Sequence, residues 1–412
     1  MTTDAGMGTG QIRGLDRALM VTQCYHPELI GSGPYCTDLA GWLRDHGVAV
    51  EVLTSRPQYP RAAAFPDYSG GSHDRETIAG VPVVRLKTRP RRGTTAWERI
   101  CSETSFLLGG VRALLAGTVA RRTTVIAFCP SILAALLGWL ATRRGGRNVA
   151  VVHDIQSGLA GGLALVTKAP ALRFLRFAER VILNRADLVI VLSEEMRQEL
   201  LKIGIRRPIE VLPNWIDGAK IRPLPRPEGA PPTVLYSGNL GRKQGLSQVL
   251  DMAERLARDK PEARVVIRGD GWERERLVAE VQRRGLVNVV FEALRPAAVL
   301  SEALAEGDVH LVPLDPQAVN FAVPSKIFTT MAAGRPFVCT AQPGSPLWRL
   351  QQEAGAFVCV PPNDSAAFAE AVGALLNDPA RRAELAERGR RYVLDHAARE
   401  DILAAYGRVL TG

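Results

Sequence analysis

Two pairs of residues put positive charge where a helix begins. In YSGNLGRKQG, Tyr236 to Gly245, Gly238 and Gly241 loosen a turn, and Arg242-Lys243 follow just before a helical pattern. Asn239 stands in the same loop. Guanidinium binds two phosphate oxygens at once, so this combination suits a diphosphate. In VPSKIFTTMAAGRP, Val323 to Pro336, Ile327, Phe328, Met331 and Ala332 share one apolar face, and Gly334 with Pro336 ends the helix. Ser325 and Lys326 occupy its first turn, where a cation opposes the helix dipole. Either an anion binds there or Lys326 reaches into water. From these residues alone the second is the simpler reading.

Three further loops carry candidate chemistry. VVHDIQSG ends an apolar run with His153-Asp154, a titratable pair able to orient a substrate or move a proton. CYHPELIGSGPY holds Gly31, Ser32 and Gly33 after the first strand, where close glycines offer backbone N–H groups to a phosphate or sugar. The dinucleotide fingerprint fails there because Cys36 fills its third glycine position. Thr54-Ser55-Arg56 stands where a nicotinamide-cofactor enzyme needs an acid. IRGDGWERERL supplies Gly269, Asp270 and Gly271, a motif that by itself could be a plain turn.

Strand-like runs alternate with helical ones and must position these loops. The first set comprises 18–24, 48–54, 81–87, 125–129, 148–153, 188–193 and 209–213; the second comprises 233–238, 263–269, 288–292, 309–314, 336–341 and 356–360. Near-continuous Val/Ile strands separated by helices imply parallel sheets covered on both faces. A Pro- and Gly-rich stretch divides the sets. The expected organisation is an α/β chain of two doubly wound domains, 17–213 and 233–385, joined by a linker at 214–232, with a C-terminal helix, 386–412, returning to the first. Ligands of such sheets bind at the carboxyl ends of strands, which predicts a site where the two sheets face each other.

Composition bounds the partners. The 412 residues are too many for one core, and the formal net charge of +10 favours an anionic partner. Six cysteines lie far apart without a C-x-x-C pair, which argues for reduced thiols and a cytoplasmic setting. The stretch 125–142 is apolar enough to suggest a membrane span, but Pro130-Ser131 divides it into a strand and a capped helix. Basic residues at Arg85, Lys87, Arg89, Arg91 and Arg92, with Trp97 nearby, suggest peripheral attachment to an anionic membrane face.

SGNLGRKQGL, RGDGWERERL and VPSKIFTTMAAGRPFV together resemble the donor-binding half of retaining GT-B glycosyltransferases of family 4. YHPELIGSGPYCTDLAGWLRDHGVAVEVLTSRPQYP and VLPNWID are similar to the branch that includes colanic-acid fucosyltransferases and related surface-polysaccharide enzymes. The resemblance runs from about Leu19 to Tyr406. It implies that Arg242, Lys243, Ser325 and Lys326 bind the diphosphate of a GDP- or UDP-linked sugar. It also implies that Gly269–Gly271 lie near the nucleotide, that Gly31 and Gly33 abut donor phosphates and acceptor, and that His153 or Asp154 faces the reacting sugar. The acceptor would be polyprenyl-linked or a saccharide. The family's usual ribose-binding Glu is replaced by Thr329, which weakens any inference about the donor.

No Asp-x-Asp triplet occurs, so no cofactor or metal is expected and the cations must meet the leaving group's charge. Two alternatives remain from sequence: a nucleotide-sugar epimerase of the same fold, and a basic binding protein. Nucleic acid is disfavoured as a partner, because the basic residues are not interleaved with aromatics on one element.

Overall fold

Alternating runs of Val, Ile and Leu build two sheets. The computed structural model describes residues 12–29, 31–58, 61–90, 96–158, 169–315 and 324–411. It divides into two units: Met1–Gln156, Arg173–Leu212 and Leu403–Gly412 in one, Ser157–Leu172 and Pro213–Ile402 in the other.

The first unit is built on β1 (Arg17–Val21), α1 (Gly33–Asp45), β2 (Ala49–Ser55), β3 (Arg75–Ile78), β4 (Val81–Leu86), α2 (Ala96–Leu115), β5 (Arg122–Cys129), α3 (Ile132–Ala141), β6 (Thr142–Val152), α4 (Ala169–Leu183), β7 (Leu188–Val191), α5 (Glu194–Ile203) and β8 (Ile209–Val211). Its strand order is β3-β4-β2-β1-β5-β6-β7-β8. All neighbours are parallel except β3, which runs antiparallel to β4 at the edge. Ala18, Leu19, Met20 and Val21 on β1 are wholly buried, as are Val125 to Phe128 on β5. Strands covered on both faces read as unbroken apolar runs for this reason. Pro130-Ser131 divides strand from helix as expected: the Ser131 hydroxyl accepts from the Leu133 N–H and caps α3.

The second unit runs β9 (Thr233–Ser237), α6 (Ser247–Asp259), β10 (Arg264–Arg268), α7 (Arg274–Arg284), β11 (Val289–Glu292), α8 (Leu300–Ala305), β12 (Val309–Val312), α9 (Lys326–Ala332), β13 (Phe337–Thr340), α10 (Pro346–Ala354), β14 (Val358–Val360), α11 (Ser365–Asn377) and α12 (Pro379–His396), and α13 (Arg399–Thr411) begins in it and passes to the first unit at Leu403. Its sheet is parallel in the order β11-β10-β9-β12-β13-β14, with the chain reversing direction across the sheet after β11.

Three details depart from the sequence reading. The C-terminal run is two helices. Ile216 donates its N–H to the Ala397 carbonyl (2.8 Å) and accepts from Arg399 (3.0 Å), so the backbone that would continue α12 is taken up in a bridge. The segment 386–396 therefore belongs to α12 in the second unit, and only the residues from Leu403 on group with the first.

Arg85 is not a surface charge. It is 3% exposed, ion-paired with Glu76 on β3 (2.5 Å) and hydrogen-bonded to the His26 and Ser55 carbonyls. Lys87 and Arg89 are exposed, whereas Arg91 and Arg92 lie outside the described residues. The sequence separation of the cysteines also conceals a contact. Cys339 and Cys359 are register partners on β13 and β14, with sulfurs 3.1 Å apart.

Candidate functional site

In the second unit the expected cations separate: the Lys326 ammonium is buried, Arg242 is exposed and Lys243 half-buried. Lys326 opens α9, yet its stem turns inward. Its Nζ lies 3.6 Å from the centroid of the Tyr236 ring at the end of β9. That nitrogen is buried and finds no hydrogen-bond partner among the described residues. Burial holds the Lys326 ammonium well below the usual lysine range. The reading in which Lys326 reaches into water is therefore wrong. A cation over an aromatic face gains about 0.5–2 kcal/mol, which offsets only part of the cost of taking an ammonium out of water.

Glycines make room for this arrangement. Gly238 has φ +146°, and a Cβ there would stand 3.3 Å from Lys326 Nζ. The Tyr236 hydroxyl donates to the Asn239 carbonyl at 2.6 Å and pins the loop. The next loop is stitched to it: Gly238 N–H donates to the Arg268 carbonyl and Leu240 N–H to the Asp270 carbonyl, both at 2.9 Å. A Cβ on Gly269 would come within 1.9 Å of the Gly238 carbonyl oxygen, and one on Gly271 within 2.4 Å of that of Leu240. Both glycines thus have a packing reason to be glycine, whatever ligand lies beyond them.

Arg242 and Lys243 form a short 3-10 turn with Gln244, closed by Gly245 at φ +57°. Arg242 is exposed and Lys243 half-buried. Asp315 donates its N–H to the Lys243 carbonyl, which fixes the turn against the loop after β12. Ser325 precedes Lys326 as a half-buried N-cap without a side-chain capping bond. Thr329 lies half-buried on α9, one turn further on. Lys326 and the Tyr236–Gly241 loop are thus brought together at the carboxyl end of β9.

The first unit gathers the other candidates at the carboxyl ends of its strands. His153 follows β6, half-buried, with its ring 6.0 Å from that of Tyr35 on α1 and 5.5 Å from that of Phe128 on β5. Gly31 has φ +73°, Ser32 is buried as the N-cap of α1, and a Cβ on Gly33 would stand 2.7 Å from the Glu28 carbonyl. Glu28, 2% exposed, accepts from the N–H groups of Tyr25 and Gln58 and ties this loop to the one after β2. Cys36 fills the core, and burial pushes its thiol up to about 12, so a buried sulfur occupies the third glycine position.

Sequence reasoning missed the charged support beneath Asp154. Arg99 on α2 donates to Glu103 (2.7 Å) and to the Pro130 carbonyl (3.2 Å). Glu103 accepts from the Ser131 hydroxyl, and Gln156 also donates to the Pro130 carbonyl, both at 2.7 Å. The carboxylates of Glu103, Asp154 and Glu179 together hold the Arg99 guanidinium above its ordinary range despite its burial. The one signal was an Arg and a Glu four apart in a segment with no assigned element.

The desolvated lysine has a direct consequence for stability. An ammonium whose folded pKa is depressed costs the native state its full penalty below that value. The penalty is relieved as pH rises toward the unfolded value of about 10.4. Lys326→Met is expected to stabilise the ligand-free chain at neutral pH and to flatten the rise in stability between about pH 7 and about pH 10. Denaturant titrations across that range check it. A variant less stable than wild type at neutral pH, with an unchanged slope, would show that the ammonium is not desolvated.

Residues 31–215 match the glycosyl transferase 4-like domain, and residues 231–378 match the glycosyl transferases group 1. Over 356 residues the chain is 30% identical to WcaI of Escherichia coli (strain K12), named for colanic acid biosynthesis, covering 82% of this chain and 86% of that protein. Sucrose-phosphate synthase from Thermosynechococcus elongatus superposes with a TM-score of 0.73 at 20% identity, over 96% of this chain and 98% of its own. HepE of Anabaena, solved with UDP and glucose, gives 0.69 at 17% identity, over 97% of this chain and all of its own. These structures share the GT-B fold. With two successive domain models matched and a 30%-identical relative spanning most of the chain, the protein belongs to the GT-B glycosyltransferases of the 4-like type.

Proposed function

We propose that this protein transfers a sugar from a nucleoside diphosphate donor, UDP- or GDP-linked, to a lipid-linked or saccharide acceptor during synthesis of a cell-surface polysaccharide. The observation that carries this reading is the Lys326 ammonium, buried over Tyr236 beside a loop that ends in Arg242 and Lys243. A diphosphate replaces the hydration that the ammonium has lost, and Arg242 adds a guanidinium able to bind two oxygens. The UDP held by HepE and the polysaccharide named for WcaI support the donor and the pathway class.

The chemistry follows from where charge develops. As the anomeric carbon–oxygen bond breaks, negative charge grows on the departing diphosphate, and pre-placed cations stabilise it. Lys326, Arg242 and Lys243 take that role without a metal, and Ser325 adds a hydroxyl. Asn239 and Thr329 line the nucleotide side. The acceptor hydroxyl attacks from the face the diphosphate leaves, giving retention. His153 and Asp154 act at the reacting sugar, with Gly31, Ser32 and Gly33 offering backbone to donor and acceptor. Arg99, itself tied to Glu103, sets a positive charge close to Asp154. A lipid-linked acceptor would bring the protein to an anionic membrane surface.

A hydrogen bond to a charged group contributes roughly 1.5–3 kcal/mol, so loss of one such contact slows turnover at least ~10-fold. Arg242→Ala, Lys243→Ala and Lys326→Ala should each lose activity and weaken UDP or GDP binding, while EDTA leaves the wild type unaffected. A panel of nucleotide sugars assayed for hydrolysis and transfer checks this. Activity lost in EDTA and restored by Mg²⁺ contradicts the metal-free mechanism, and wild-type kinetics in the Arg242 and Lys243 variants remove the donor-site assignment.

His153→Ala and Asp154→Asn should lower kcat strongly with nucleotide affinity nearly intact, as measured by steady-state kinetics and nucleotide titration. An unfolded variant with normal residual specific activity would make either residue structural.

A further inference from the structure

Of the basic run at Arg85–Arg92, Arg85 is buried against Glu76 and adds no surface charge. We propose that the aromatic and basic face of α4 seats the protein on an anionic lipid bilayer, an inference that rests on the reading of a lipid-linked acceptor.

The composition of α4 carries the argument. Arg173, Arg176 and Arg180 recur at i, i+3 and i+7, so their guanidiniums form one row along the helix. Phe174 and Phe177 form the adjoining row and are 71% and 59% exposed, although each ring could cover a large apolar area. All three arginines are exposed as well. The opposite side of the helix is where Glu179 and Leu183 are buried. Glu179 is the only acid on this helix, so its outward face presents three guanidiniums, two phenyl rings and no carboxylate. That charge pattern selects an anionic lipid surface: the rings enter the headgroup–acyl boundary and the arginines meet phosphates.

A neighbouring helix extends the surface. The connections β4–α2–β5 and β6–α4–β7 cross the sheet in the same direction, so right-handed crossovers put α2 and α4 on one face. On α2 the exposed apolar residues Trp97 (69%), Ile100 (54%), Leu108 (63%) and Leu115 (80%) fall in a single row. An indole at one end of such a row suits the bilayer interface.

The test uses the full chain and vesicles of phosphatidylcholine, with and without about one-third phosphatidylglycerol, in a co-sedimentation assay. Wild type should bind the anionic vesicles, and less well as salt rises. Phe174→Ser/Phe177→Ser should bind at least ~10-fold more weakly. Arg173→Gln/Arg176→Gln/Arg180→Gln should lose both affinity and salt dependence. Each variant must keep the wild-type melting temperature and nucleotide-induced stabilisation, which separates loss of the surface from loss of the donor site.

Wild-type binding by both variants would overturn the assignment to α4 while leaving membrane attachment intact. Equal binding to neutral and anionic vesicles would overturn the anionic partner. Absence of vesicle binding, with self-association that the Phe variant abolishes, would make the face a contact between copies. Transfer to a lipid-linked acceptor in detergent would sustain the transferase reading in any of these cases.

Discussion

One ammonium taken out of water organises the second unit. Lys326 stands on α9, but its Nζ is held over Tyr236 on β9, so the start of a helix and the carboxyl end of a strand converge on a single charge. The neighbouring backbone must come close, which excludes a side chain at Gly238 and, through the stitched loops, at Gly269 and Gly271. The aromatic face offsets part of the desolvation, and the depressed pKa records the remainder. A cation in this state gains more from an anionic ligand than a solvated lysine could, because its hydration has already been given up. Under the proposed donor reading, stability of the ligand-free chain is exchanged for affinity toward a diphosphate.

Much of the architecture was legible in the residues because buried parallel strands leave an unambiguous trace. β1, β5, β9 and β12 are short apolar runs ended by turn residues, and helix periodicity fills the gaps. Edge elements left weaker traces. In β3 the residues RETI are polar up to Ile78 and pair only with β4, so the burial of Arg85 by Glu76 depended on a partner strand that local pattern does not announce. The break between α12 and α13 has the same origin. It comes from Ile216, far away in sequence, inserting its backbone at Ala397–Arg399.

The site was legible as a set of loops and not as a set of directions. Sequence put Lys326 at a helix start, where both an anion and water were open to it, and only the Tyr236 contact turns it away from water. Arg242 and Lys243 read as an equivalent pair, yet one is exposed and the other half-buried. His153 was recognisable from its place after a buried strand, but the rings of Tyr35 and Phe128 that flank it come from α1 and β5. The Arg99–Glu103–Ser131 support could not be read, since its members act through contacts across some thirty residues. Spacing reports which groups reach a loop; packing decides which way each one points.

The central claim is that Lys326 is a desolvated cation whose charge a nucleoside diphosphate restores. Nuclear magnetic resonance titration of the lysine ε-carbons, with Lys326 assigned by its absence in Lys326→Met, reads that charge directly in free and UDP-saturated protein. The free protein should show a Lys326 pKa well below the ordinary value of about 10.4, and UDP should raise it. An ordinary value in the free protein, or a depressed one that saturating UDP leaves unmoved, would contradict the account.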